Sequence, residues 1–220
     1  MKKILLAAIM IAGLRPISLK AQNDQANASL KKNKPGIGLK VGYNYSSLSG
    51  TSDAFNPGNK SGFMVAGFYA TPSAGLFGFR SEIVFSRQGF TYNADGSKEN
   101  LTHDYIYLPQ LTTLTFAKIV QVQAGMQIGF LISAKDSKKE TGTAAPDIMS
   151  YYNRIDYGFA GGFEIYPIKG LILGGRYNIS FGNLYKQEMD MSTQPYPVPF
   201  DPGQLKGKNQ VMQVFIGYKF

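Results

Sequence analysis

The sequence predicts an all-β fold: an eight-stranded antiparallel up-and-down β-barrel that crosses a membrane. Three observations predict it. Eight strand-like segments recur, six of them alternating apolar with small or polar residues, the connections between them are long and short in strict turn, and the non-apolar face holds mainly Gly, Gln, Asn and Ser with a few charges. Composition agrees, since 25 Gly, 14 Tyr and 15 Phe without a Trp suit pleated surfaces, bulges and turns.

The chain begins "MKKILLAAIMIAGL", two lysines followed by an 11-residue apolar run, Ile4 to Leu14. A bilayer-spanning helix needs about 20 such residues, so the pattern is that of a secretory signal peptide. Residues 1–21 are read as that peptide, with cleavage after Ala21, and the polar stretch 22–35 as a flexible lead-in to a barrel domain at 36–220.

The first strand, "IGLKVGYNY", sets Ile37, Leu39, Val41, Tyr43 and Tyr45 against Gly38, Lys40, Gly42 and Asn44. "GFMVAGFYA" is apolar on both faces, and its sides stay unassigned. "FGFRSEIVFSRQ" opposes Phe77, Phe79, Ile83 and Phe85 to Arg80, Glu82, Ser86 and Gln88. "DYIYLPQLTTL" is again two-sided, and Pro109 predicts a bulge or local break because it lacks a ladder donor. The remaining four, "VQVQAGMQIGFLI", "IDYGFAGGFEI", "LILGGRYNISF" and the closing "VFIGYKF", alternate cleanly. Most segments run to about 9–13 residues, and a strand tilted across a bilayer needs about 9–11.

Long polar connections are expected near 48–60, 89–102, 134–151 and 183–209, and short ones near 71–75, 113–118 and 166–170. A soluble lipocalin-like barrel also alternates, but its apolar face points inward and its outer face carries charge. The small, weakly charged second face here suits a narrow interior instead. Tyr43, Tyr45, Tyr105, Tyr107, Tyr157, Tyr166, Tyr177 and Tyr218 are read as an outward aromatic girdle at the membrane interfaces. In hydrocarbon an open sheet edge leaves backbone groups unpaired, so the first strand must close on the last.

"GIGLKVGYNYSSLSG", "YIYLPQL", "LILGGRYNISFGNL" and the terminal "VFIGYKF" resemble the PorT-like outer-membrane β-barrel domain family over about residues 36–220. The resemblance implies an eight-stranded barrel in the outer membrane of a Gram-negative cell. It implies contact with outer-membrane lipid and, for some members, an accessory part in secretion machinery. It brings no catalytic motif and no cofactor. Barrels of this kind finish on an aromatic residue that the assembly machinery reads, and Val214, Ile216, Tyr218 and Phe220 match that signal.

Parity sends Lys40, Arg80, Glu82, Asp156, Glu164, Arg176 and Lys219 into the lumen, where buried charges are expected to pair. Eight strands enclose a space just filled by side chains, so a structural plug is favoured over a solute path. His103, the one histidine, adjoins Asp104, but neighbours in a strand face opposite ways and make a poor catalytic dyad. With no Cys and one His, no thiolate or histidine-rich metal site is available, and no Ca²⁺ loop is visible. The last long connection, "QPYPVPFDPG", would display Tyr196, Val198 and Phe200 on stiff, extended backbone to an extracellular partner, or fold over the barrel mouth. The formal charge is +9, and without the four cations of residues 1–21 it is +5, too mild to argue for nucleic acid. The expected role is a non-catalytic structural or interaction module of the outer membrane, with a secretion or transport accessory beside it. A soluble ligand-binding barrel and an outer-membrane enzyme are the alternatives.

Overall fold

The computed structural model describes residues 35–49, 57–72, 76–94, 97–117, 119–137, 148–186 and 207–220. Residues 1–34, with the expected signal peptide and most of the lead-in, and Tyr196, Val198 and Phe200 lie outside the described residues.

Eight strands follow one another around the sheet: β1 (Gly36–Ser49), β2 (Gly58–Ala70), β3 (Phe77–Ala94), β4 (Ser97–Phe116), β5 (Val120–Asp136), β6 (Ile155–Ile165), β7 (Leu171–Ser180) and β8 (Lys208–Lys219). Each pairs antiparallel with the next, and β8 returns to β1 with Gly38 opposite Lys219 and Ser49 opposite Lys208. The ring therefore has no free edge, the condition hydrocarbon imposes on any sheet. Both chain ends of the sheet lie with the short turns after β2, β4 and β6, which defines a turn end. The remaining connections define a loop end.

Side-chain orientation follows the alternation. Val41, Met126, Phe163 and Ile216 expose 51, 63, 56 and 49 % of their surface, while Gln123 and Asn178 expose 2 and 7 %. An inward polar face and an outward apolar band are the reverse of a soluble barrel, and they place the oily surface against lipid. The two ambiguous strands are settled by packing. β2 turns Met64, Ala66 and Phe68 inward and Phe63, Val65 and Tyr69 outward; β4 buries Tyr105, Tyr107 and Leu111.

Three expectations change. Tyr105 and Tyr107 do not belong to the outer girdle: they are buried in the lumen, with ring centroids 5.2 Å apart. Gly129 makes room for them, since a Cβ there would sit 2.3 Å from the Tyr107 ring. Tyr166 also turns its hydroxyl inward, to Glu164. Tyr43, Tyr45, Tyr157, Tyr177 and Tyr218 face outward as expected. The long loop expected at 89–102 is instead a paired hairpin, in register from Gly89–Thr102 to Ala94–Ser97. Its inward residues Phe90, Tyr92 and Leu101 are apolar and buried, so the strands keep a face to cover beyond the membrane. Pro109 interrupts the β3–β4 ladder as its missing donor requires: pairing lapses between Ser81–Gln110 and Val84–Tyr107, yet the register is unchanged.

At the turn end Gly170 enters β7 with φ +85°, a left-handed conformation that L side chains resist, and its N-terminal turn packs against Tyr218. At the loop end the connections after β5 and β7 are tied together. Tyr152 and Tyr185 form an antiparallel bridge with rings 4.9 Å apart. Asn153 Nδ2 donates to the carbonyls of Asn183 and Tyr185 at 2.8 and 3.0 Å, and Lys186 N donates to Tyr151 O at 3.0 Å. A short 3₁₀ helix, Met149–Tyr151, sets Tyr151 into the same buried cluster.

Candidate functional site

The lumen is divided between a charged plug and a tyrosine layer. The plug takes Lys40 from β1, Arg80 and Glu82 from β3, Glu164 from β6 and Arg176 from β7, all on inward positions of their strands. Lys40 Nζ donates to Glu82 Oε1 at 2.6 Å and to Glu164 Oε1 at 2.7 Å. Arg80 Nη1 reaches both Glu164 oxygens at 2.7 Å, and its Nη2 donates to Gln121 Oε1 at 2.7 Å and Tyr166 OH at 2.9 Å. Arg176 holds Glu82 through Nη1 at 2.8 Å and Nη2 at 2.9 Å. Tyr166 OH donates to Glu164 Oε2 at 2.6 Å and Gln123 Nε2 to Glu164 Oε1 at 3.2 Å.

Three cations meet two carboxylates here, so the plug carries one excess positive charge. Aromatic faces offset it. Lys40 Nζ lies 5.1 Å from the Phe68 centroid and 4.8 Å from that of Phe215; Arg80 lies 4.6 Å from Phe68 and Arg176 5.7 Å from Phe215. Burial of five charges is offset only by short contacts to every one of them, which this geometry supplies.

The seven residues that parity sends inward do not form one network. Asp156 stands eight residues from Glu164 on β6, about 26 Å along the strand. It belongs to the tyrosine layer, accepting from Tyr107 OH at 2.7 Å and Ser180 Oγ at 2.6 Å. Lys219 sits at the turn-end rim, half-buried. Parity reports the side of a residue and is silent about its height, so the plug's members could not be separated from these two in the sequence. Gln121 and Gln123 were legible as inward residues but carry no charge to mark them. Phe215 shares Lys219's side by alternation, and Tyr166, read as an outward girdle residue, has the parity of Glu164 two positions before it.

Above the plug a narrow gap is lined by Val84, Ser86, Gln88, Tyr107, Asn178 and Val211. Gln88 Nε2 donates to Tyr107 OH at 2.9 Å. Tyr105, Tyr151, Tyr152 and Tyr185 belong to one buried cluster toward the loop end.

The sequence profile of the outer membrane protein beta-barrel domain family matches residues 20–186, well over half of the chain. The chain belongs to this family. Among similar solved structures, neisserial surface protein A agrees in fold: it shares 13% identity, covering 84% of this chain and 97% of that one with a TM-score of 0.50. The Yersinia pestis attachment invasion locus protein Ail shares 14%, covering 85% and 99%, with a TM-score of 0.48. OprG from Pseudomonas aeruginosa shares 10%, covering 86% and 97%, with a TM-score of 0.45. No curated protein matches the chain in sequence. Membership places the barrel in a Gram-negative outer membrane, where the short turns of such barrels are periplasmic and the longer loops extracellular. The tyrosine layer is then on the cell's outer side and the plug nearer the periplasm.

His103 and Asp104 are kept apart by the strand. Asp104 faces outward in a bidentate pair with Arg87, at 2.8 Å for both contacts. His103 faces inward and is fully buried between Phe90 and Tyr152, at centroid distances of 5.9 and 4.6 Å. Neither ring nitrogen has a hydrogen-bond partner among the described residues. The apolar band on β4 ends at Ile106, so His103 lies outside the membrane-spanning part. Burial, with the nearby Lys60 charge adding to it and Asp104 opposing, pushes its pKa down to about 3 from an ordinary 6.5. The unfolded chain therefore binds a proton below about pH 6.5 that the folded barrel refuses, and stability falls as pH drops. The expected slope approaches about 1.4 kcal/mol per pH unit between roughly pH 6 and pH 4. Urea unfolding across that window measures it. His103→Phe should flatten the slope, and an unchanged slope would assign it to other groups.

Proposed function

We propose that this barrel is a closed, non-catalytic interaction module of the outer membrane, with its extracellular loops as the working surface. One observation carries the reading: the lumen is filled at two heights, by five mutually paired charges and by a tyrosine layer. Such an interior favours rigidity over passage and leaves the outer end to do the work. The role of an accessory to a secretion apparatus, suggested by the PorT-like segments, is the finer form of this proposal. In it, residues 1–21 export the chain and Tyr196, Val198 and Phe200 contact the partner. Two measurements test it. Planar-bilayer recordings should show no stable conductance steps; large, steady openings would overturn the closed reading. Affinity purification from detergent-solubilised outer membrane should recover a partner with the full chain and lose it when residues 195–202 are deleted. Equal recovery with both would remove the loop from the role.

We also propose that Val214, Ile216, Tyr218 and Phe220 form the assembly signal. All four project outward from β8, and Phe220 N donates to Ile37 O at 2.9 Å where the ring closes. Phe220 is 75 % exposed, so truncating its side chain, which leaves the Phe220 N to Ile37 O bond in place, should cost little in detergent. Phe220→Ala is expected to lower the folded yield in the outer membrane severalfold while detergent refolding in vitro is nearly unchanged. An undiminished yield in cells would leave Phe220 as one more lipid-facing side chain.

A further inference from the structure

We propose that the outer wall of β3–β6 is a contact surface within the membrane for a second copy of this chain, centred on Gln110. The lipid-facing column of β4 runs from Phe116 through Leu114, Thr112, Gln110 and Leu108 to Ile106, and Gln110 and Thr112 are exposed in the middle of it. Gln110 stands six residues from Phe116 and four from Ile106. At about 3.3 Å per residue on a strand tilted about 45°, these are roughly 14 and 9 Å along the membrane normal. The side chain is too short to lift its amide from that depth to the headgroups.

An amide facing hydrocarbon is costly while its hydrogen-bonding groups lack partners. Ser81 Oγ on β3 donates to Gln110 Oε1 at 2.7 Å, which fixes the oxygen end of the side chain and occupies one of its lone pairs. The Nε2 donors have no partner among the described residues. Acyl chains offer none. A second copy does, because a primary amide is a donor and an acceptor at once. Two copies related by a two-fold axis satisfy each other: each Gln110 Nε2 donates to the other's Oε1, whose second lone pair is free.

The surface beside Gln110 permits the approach. One row nearer the turn end, Phe79 stands opposite Thr112, Thr112 opposite Ala124, Ala124 opposite Gly161 and Gly161 opposite Tyr177. Ala124 and Gly161 carry the least bulk on that row, so a facing wall can come close between the Phe79 and Tyr177 rings. Small residues beside polar ones are what brings membrane segments together where the hydrophobic effect supplies no net drive. Across the ring, β1 and β8 present Leu39, Val41, Val214 and Ile216 outward instead, a surface suited to lipid.

Sedimentation equilibrium of the full chain in density-matched micelles, over a range of protein-to-detergent ratios, tests this interface. Wild type should show a reversible monomer–dimer equilibrium. Gln110→Leu replaces the amide with a side chain that suits lipid. The barrel should fold at least as well while dimerisation weakens about tenfold, the scale of one or two side-chain hydrogen bonds between membrane segments. Gly161→Leu tests the close approach, since a Cβ there meets nothing nearer than 3.8 Å in its own barrel and the added bulk is felt by the second copy. It should weaken dimerisation by about tenfold or more. Gly67→Leu adds the same bulk on β2, where a Cβ has its nearest neighbour at 3.9 Å, and should retain wild-type dimerisation. Heat-modifiable gel mobility confirms that each variant is folded. In this cysteine-free chain, Gln110→Cys should be trapped as a disulfide dimer by copper phenanthroline, and Gly67→Cys should stay monomeric. A wild type that is monomeric at every ratio overturns the second copy as occupant. A dimer that survives both Gln110→Leu and Gly161→Leu, or is weakened equally by Gly67→Leu, overturns this wall as the interface.

Discussion

Glu164→Gln is expected to destabilise the folded barrel by about 3–5 kcal/mol, the cost of removing one partner from a buried ion-pair network. Glu164 alone accepts from Lys40 and Arg80 and also from Gln123 and Tyr166. An amide keeps a single acceptor oxygen and brings two N–H donors that face other donors. The plug would go from one excess positive charge to two, and burial makes that costly. Urea titration in detergent, followed by the mobility shift between folded and unfolded bands, reads the loss. Adding Lys40→Met to Glu164→Gln removes one of the orphaned cations and should recover part of it; the coupling between the two is the test of the network. A single substitution costing under about 1 kcal/mol would mean that the plug is solvated and does not hold the barrel together.

Met126→Arg is expected to cost about 2–4 kcal/mol in a bilayer, and Ile132→Arg only about 0–1 kcal/mol. Both residues face outward on β5, but Met126 is midway along the apolar column from Val120 to Ile132, and Ile132 is at its outer edge. A guanidinium at the midplane must be carried into hydrocarbon, whereas one at the edge extends into the headgroups. The comparison is internal to one strand, so differences in strand propensity largely cancel. Folding into phosphatidylcholine vesicles, with urea titration of each variant, supplies the numbers. Equal, small costs at both positions would remove the lipid-facing assignment of this wall.

The two experiments probe opposite faces of one sheet, and together they separate the forces that hold it. Outside, stability depends on apolar area staying in lipid. Inside, it depends on each charge keeping its partner. Neither face could be exchanged for the other, because a one-residue slip of β1, β3 or β6 would send Lys40, Glu82 or Glu164 into hydrocarbon and an isoleucine into the lumen.

Alternation by itself determined the strand number, the closed antiparallel order and which side chains of β1, β5, β6, β7 and β8 face lipid, since a period of two is a local property of extended backbone. Where both faces are apolar, as in β2 and β4, the same pattern was mute, and only packing decided that Met64 and Phe68 line the lumen and that Tyr105 and Tyr107 stack within it. The tertiary structure also decided height. Strand tilt and register across the ring bring Lys40, Arg80, Glu82, Glu164 and Arg176, up to 136 residues apart in the chain, to one level and leave Asp156 and Lys219 at others. It decided too that residues 89–102 continue as strands, because the apolar side of that hairpin is covered by connections from elsewhere in the chain. Sidedness is written in each strand; level and cover arise only when strands meet.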